Sequence, residues 1–137
     1  VTMKNHILIV DDEEQVRNVI RMQLGGTRFE VLEAEDGGQA IDLLNTNPLT
    51  VDVIVCDVRM PKINGIEAVD YFRKEYPSTP VIVLTGYPDV NLAVKFLKEG
   101  VVEYLVKPVD KEKLVEAVEK AADQRIMFRD SGVTMRP

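Results

Sequence analysis

Short runs of β-branched and aliphatic residues alternate with longer amphipathic segments along most of the chain, and this alternation most constrains its fold. Residues 7–10, 29–34, 53–56, 81–84 and 103–106 read as strands. Four are rich in Val, Ile and Leu, as strands covered on both faces are. The second is interrupted by Glu30 and Glu33, which places it near a sheet edge. Between the strands, apolar residues recur at helical spacing: Val16, Val19, Ile20 and Leu24, then Ala40, Ile41 and Leu44, then Ile66, Val69 and Phe72. Leu114, Ala117, Val118, Ala121 and Ala122 line one face of the last segment. Gly25-Gly26, Asn47-Pro48, Tyr76-Pro77 and Gly100 supply helix stops, and Asp110 is the candidate N-cap of the last helix. Strand-helix repeats of this kind build a doubly wound parallel sheet, here an α/β fold of the (βα)5 type.

Two segments carry further expectations. In residues 90–99, Val90, Ala93, Val94 and Leu97 form a core stripe while Leu92 and Phe96 point elsewhere. A fully buried helix reads this way, and so does one whose second face meets a partner. From Gln124 the apolar period fades into Arg125, Arg129, Asp130, Ser131, Gly132, Arg136 and Pro137, so residues 1–123 are expected to form one domain and 124–137 a tail or linker stub.

Composition narrows the function. The 137 residues carry 17 Lys and Arg against 23 Asp and Glu, a formal net charge of −6. This acidic balance lacks the clustered cations that nucleic acid or an anionic membrane surface requires. The single cysteine, Cys56, excludes an intrachain disulfide and a CxxC metal or redox motif, which fits a reducing, cytoplasmic setting. No apolar run approaches the roughly 20 residues needed to span a bilayer, and the polar start through His6 has no signal-peptide core. The opening Val1, with Met3 two residues later, fits an excised segment.

In an open parallel α/β sheet, ligands bind at the carboxyl ends of the strands, where strand order reverses. The strand ends here deliver Asp11-Asp12, Asp57, Thr85-Gly86 and Lys107-Pro108 to one edge. In a 2-1-3-4-5 order the first and third strands are neighbours, so Asp11, Asp12 and Asp57 repel one another and call for a cation. Mg²⁺, a hard ion that takes carboxylates, carbonyls and waters, suits such a set. The competing reading is that the acidic run decorates a helix N-terminus, and for Glu13 and Glu14 that reading is preferred. Lys107 is either a salt-bridge partner of Asp57 or a cation for a bound anion. Thr85 is a strand-end cap or an anion ligand, and the bond before Pro108 is a candidate cis peptide. His6 reads as structural and Cys56 as a buried apolar residue. An acidic loop after the first strand excludes flavin phosphate binding there, and no glycine-rich nucleotide motif is present.

The combination of Asp11-Asp12, Asp57, Thr85 and Lys107-Pro108 resembles the receiver domain of bacterial two-component response regulators. The likeness extends over residues 5–122, with spacings of 45, 28 and 22 residues between Asp12, Asp57, Thr85 and Lys107, and with Met60-Pro61 and Gly65 after Asp57. It implies a flavodoxin-like fold with strand order 2-1-3-4-5, a phosphoacceptor role for Asp57, and Mg²⁺ held by Asp11, Asp12, Asp57 and the Arg59 carbonyl. It further implies that Lys107, Thr85 and the Gly86 N–H bind phosphoryl oxygens, and that Tyr104 is the aromatic switch. The fourth helix, fifth strand and fifth helix would form the responsive surface, with Leu92 and Phe96 as partner contacts. The implied partner is a sensor histidine kinase or phosphotransfer protein, with a phosphorylation-dependent homodimer as a further form. Thr85-Gly86-Tyr87-Pro88-Asp89 resembles receivers attached to transcriptional activators. Arg59 and Tyr87, which the family does not fix, are expected to screen the phosphoryl group from water. Two other classes compete. A Mg²⁺-dependent phosphohydrolase would place a second Asp where Arg59 stands, and a binding-only pseudo-receiver would not need the intact acidic, Thr and Lys set.

Overall fold

The computed structural model describes residues 5–46, 51–58 and 65–131, with side chains described through Arg125. Five strands alternate with five helices: β1 (Asn5–Val10), α1 (Glu14–Leu24), β2 (Phe29–Ala34), α2 (Gly37–Thr46), β3 (Val51–Cys56), α3 (Gly65–Glu75), β4 (Val81–Thr85), α4 (Val90–Lys98), β5 (Glu103–Val106) and α5 (Lys111–Ser131). The strands form one parallel sheet in the order β2-β1-β3-β4-β5, as the sequence predicts, with the Glu-bearing β2 at an edge. Register positions the site. Val10 pairs with Ala34 on one side and Cys56 on the other, so β1 and β3 end level. The Asp57 N–H then donates to the Val10 carbonyl at 2.8 Å, setting Asp57 beside Asp11.

Alternate strand residues feed opposite layers, as the two-residue strand period dictates. Leu8, Val10, Ile54, Cys56 and Val83 pack with α2, α3 and α4 residues such as Leu44, Phe72 and Phe96. Ile7, Ile9, Val53, Val55 and Leu84 pack with Ile20 and Leu24 of α1 and Leu114 and Val118 of α5. The turn residues behave as their chemistry requires. The Asp110 carboxylate accepts from the Lys113 N–H at 2.9 Å, and Gly100 ends the α4 segment at φ +97°, where a side chain is strained. The Lys107–Pro108 peptide is cis. No helix among the described residues is long and apolar enough to cross a membrane. Asn47-Pro48, Arg59 and Met60-Pro61 lie outside the described residues.

Three expectations are corrected. Val19 does not join the α1 core stripe and is exposed. On α4 the faces are exchanged: Phe96 is 0% exposed and Leu92 packs against the same core, while Val90 is 79% exposed and Val94 and Leu97 also face water. Phe96 is therefore a core residue and not an available partner contact. Its ring is the largest apolar group of the helix, and the face that buries it leaves Val90, Val94 and Leu97 to water. The third correction concerns residue 124. Helix α5 runs on to Ser131, and Arg125, read as tail, is buried.

Arg125 falls one helical repeat beyond Leu114, Val118 and Ala121, so it points at the sheet along with them. Its Nε lies 3.3 Å from Asp52 Oδ1 at the start of β3, and its Nη1 donates to Thr79 Oγ1 at 2.9 Å ahead of β4. The other Asp52 oxygen accepts from the His6 N–H at 2.9 Å. One buried ion pair thus joins β1, β3, the β4 approach and α5 at the end of the sheet opposite the strand carboxyl ends. Removing one member of a buried pair strands the other charge, at a cost of about 3–5 kcal/mol. Urea unfolding of Arg125→Ala is expected to show a loss near the lower bound, about 3 kcal/mol, because Asp52 keeps its bond to His6. A loss under about 1 kcal/mol would show that Arg125 is a solvated tail residue.

Candidate functional site

The carboxyl edge of the sheet gathers the expected residues. Asp11 and Asp57 are buried, and Lys107 Nζ donates to both, at 2.8 Å to Asp11 Oδ2 and 3.2 Å to Asp57 Oδ2. Glu13 Oε1 lies 3.8 Å from the same ammonium. Burial alone would lower the Lys107 pKa, but the hydrogen bonds and charges of Asp11 and Asp57 outweigh it and hold the group above its usual range. Lys107 therefore stays charged. Oxygens of Asp11, Asp12, Glu13 and Asp57 all lie within 4.8 Å of one another, two of the residues buried and two exposed. This all-carboxylate donor set, open to water on the Asp12 and Glu13 side, fits a hard divalent cation that keeps several waters.

The backbone supports that arrangement. The Asp11 carboxylate takes the Glu13 N–H at 2.9 Å on its second oxygen, closing the turn into α1. Thr85 is fully buried, and its hydroxyl accepts from the Tyr87 N–H at 3.1 Å. The Lys107 N–H donates to the Thr85 carbonyl at 2.8 Å, which ties the ends of β4 and β5 together. A Cβ on Gly86 would lie 3.8 Å from Lys107 Cδ, so the small residue flanks the lysine stem. Tyr87 is exposed. Tyr104 is partly buried against the α4 layer, and its hydroxyl accepts from the Asp89 N–H at 3.2 Å. Asp89 in turn caps α4, accepting from the Leu92 N–H at 3.1 Å. Cys56 is enclosed; burial, reinforced by the charges of Asp57 and Asp11, pushes its thiol well up and leaves it unreactive.

Two residues at the edge, Glu13 and Arg17, escaped sequence reasoning, and Gly65, noted there only as part of the resemblance, gains its physical reason from the structure. Glu13, assigned to the helix start, also contributes its carboxylate to the acidic cluster. Gly65 opens α3 directly behind the end of β3, where a Cβ would come 2.2 Å from Val58 Cα and 2.5 Å from the Asp57 carbonyl oxygen. Any side chain there must displace the backbone that carries Asp57. Arg17 is 8% exposed, and its Nη1 donates to the Asp11 carbonyl at 2.7 Å. Its signal was present: Arg17, Ile20 and Leu24 are spaced three and four apart, so an arginine stands in register with an apolar stripe.

Comparison with known proteins agrees with this geometry. The model of the response regulator receiver domain matches residues 7–119. Regulatory protein AtoC of Escherichia coli is 36% identical over 131 residues, covering 95% of this chain and 28% of that protein. Transcriptional regulatory protein FixJ of Bradyrhizobium diazoefficiens is 33% identical over 124 residues, covering 90% of this chain and 60% of that protein. The chain therefore spans less than two thirds of the length of either relative. Among solved structures, a response regulator receiver domain from Clostridium thermocellum superposes with a TM-score of 0.85 at 32% identity, covering 90% of this chain and 98% of that one. With four strand ends delivering the acidic, hydroxyl and ammonium groups to one edge of a 2-1-3-4-5 sheet, and with these matches, the chain belongs to the response regulator receiver domain family.

Proposed function

We propose that the protein is a phosphorylation-dependent switch of a two-component system, accepting a phosphoryl group on Asp57 from a sensor histidine kinase or phosphotransfer protein. The observation that carries this reading is the buried Asp57 carboxylate held by Lys107 beside Asp11, an acceptor already aligned and partly neutralised. Phosphoryl transfer asks mainly for alignment and charge neutralisation. An Asp57 carboxylate oxygen attacks phosphorus, the bond from phosphorus to the donor histidine nitrogen breaks, and the imidazole leaves with the electron pair. Asp11, Asp12, Asp57 and the Arg59 carbonyl would hold Mg²⁺. When bound, that ion neutralises the phosphoryl oxygens and orients them. Lys107 then moves its hydrogen bonds from carboxylate to phosphoryl oxygen, joined by the Thr85 hydroxyl and the Gly86 N–H.

The new charge reaches the surface through Thr85. While its hydroxyl accepts from Tyr87, it holds the loop that leads to Asp89, the cap of α4. Turning toward a phosphoryl oxygen, it releases that N–H, and Tyr104, whose own hydroxyl bonds to Asp89, fills the vacated space. A local charge event of this kind biases a two-state surface. Here the surface is α4, β5 and α5, whose exposed apolar groups are Val90, Val94, Leu97 and Val106, with Leu92 beneath them. This surface would carry a phosphorylation-dependent homodimer or a transcriptional output. The chain itself turns over no separate substrate.

Treatment with a small-molecule phosphodonor in the presence of Mg²⁺ is expected to add one phosphoryl group, detected by mass, and none to Asp57→Ala. No gain in wild type, or an equal gain in the variant, rejects the assignment. Bulk at Arg59 and Tyr87 is proposed to screen the phosphoryl group from water. Combining Arg59→Ala with Tyr87→Ala should therefore speed dephosphorylation several-fold, and an unchanged rate removes the screening role. On size exclusion, the phosphorylated wild type is expected to elute as a dimer and Val94→Asp with Leu97→Asp as a monomer. A phosphorylated double variant that still dimerises would place the interface elsewhere.

A further inference from the structure

We propose that Arg17 is a positioning residue for the acidic pocket, holding the Asp11 carbonyl so that the neighbouring carboxylates stay converged for a divalent cation. This rests on the Mg²⁺ reading given above. The side chain is costly where it stands. A cation in the first turn of a helix opposes the helix dipole, and a buried guanidinium loses its hydration. Arg17 is the fourth residue of α1, buried, and lies in the same layer as Ile20 and Leu24. A packing role alone would be served better by Leu or Met.

What the guanidinium does instead is specific. Nη1 donates to the Asp11 carbonyl at 2.7 Å while Nε donates to Glu33 Oε1 on β2 at 3.0 Å. The other Glu33 oxygen pairs with Arg21 of α1. Asp11 is consequently gripped at every polar atom: its N–H by the Ala34 carbonyl at 3.1 Å, its carbonyl by Arg17, and its two carboxylate oxygens by the Glu13 N–H and Lys107. Among the described residues, the Arg17 contact is the one that fixes the peptide plane between Asp11 and Asp12, and that plane sets where the exposed Asp12 carboxylate can point. Glu33 matches the arginine's charge and aims its planar fork, so β2, which adds no carboxylate to the cluster, acts on the cluster through Arg17.

The two ways Arg17 could influence the pocket have opposite signs. A guanidinium acting only through its charge repels a divalent cation, so its removal tightens binding. A guanidinium acting as an anchor loosens binding when removed, by about ten-fold for a lost supporting hydrogen bond behind metal ligands. The experiment is calorimetric titration of the intact unphosphorylated chain with Mg²⁺, comparing wild type, Arg17→Met and Arg17→Lys, with thermal melts as a check on folding. About ten-fold weaker binding is expected for Arg17→Met. Arg17→Lys keeps the charge but has no fork to serve both acceptors, so it should also bind more weakly than wild type. Arg17→Lys decides the matter if Arg17→Met fails to fold. Binding as tight as wild type, or tighter, in either folded variant overturns the positioning role alone. Wild type that binds no Mg²⁺ overturns the reading beneath it, and this inference with it.

Discussion

The contact of Lys107 with Asp11 and Asp57 is the interaction on which the pocket depends. Two unit charges 4 Å apart repel by roughly 4 kcal/mol at the effective dielectric of a protein surface. Four carboxylates lie within 4.8 Å, and one ammonium cannot balance them all. Burial decides which it balances. Asp12 and Glu13 are exposed and water screens them, whereas Asp11 and Asp57 are enclosed and are the two that Lys107 touches most closely. The pocket is thus stable as it stands and still negative on its open side. A group that neutralises that remainder meets a site already assembled.

Two arginines extend the same logic to either end of the sheet. Arg17 and Arg125 each occupy a place in an apolar helical stripe, and each finds its carboxylate on a strand: Glu33 on β2 for the first, Asp52 on β3 for the second. Apolar burial gives a helix a face but little resistance to sliding, since dispersion contacts are non-directional and individually small. An ion pair with a fixed partner supplies register. Arg17 sets α1 against the carboxyl edge, where the chemistry is, and Arg125 sets α5 against the opposite edge.

How much of this was legible depended on the size of the signal. The strands announced themselves as Val, Ile and Leu runs, whereas their order came from the resemblance to receiver domains, and the adjacency of Asp11 and Asp57 followed from that order. The acidic, Thr and Lys residues were legible because each stands directly after a strand, where an α/β sheet collects ligands. Helix α4 was not, because its apolar residues occupy most of its circumference and periodicity alone cannot choose a face; one ring, Phe96, decides it. Nor was the run of α5 past Asp123. Arg125 reads as polar in composition, and only its spacing from Leu114, Val118 and Ala121 marks it as inward. Glu33 was read as an interruption of an edge strand, whereas its contacts make it the counter-charge of Arg17.

Helix α4 is also where the fold is held least by apolar burial. Phe96 is its one fully buried side chain, while α5 commits Leu114, Val118, Ala121 and Ala122 to the core. What holds α4 instead is polar and sits at its ends. Asp89 caps the start and is bound through its N–H to Tyr104, and Arg73 Nε donates to the Glu99 carbonyl at 3.2 Å where the helix stops. Gly100 follows at positive φ, and a Cβ there would press within 2.9 Å of the Arg73 guanidinium. Hydrogen bonds at helix ends contribute about 1 kcal/mol each and can be exchanged one for another. A buried stripe must be lost as a whole. An element fastened at its ends and pivoted on one ring is governed by its end contacts, and the hydroxyl that reaches its leading end is that of Tyr104, while Thr85 holds the Tyr87 N–H two residues earlier.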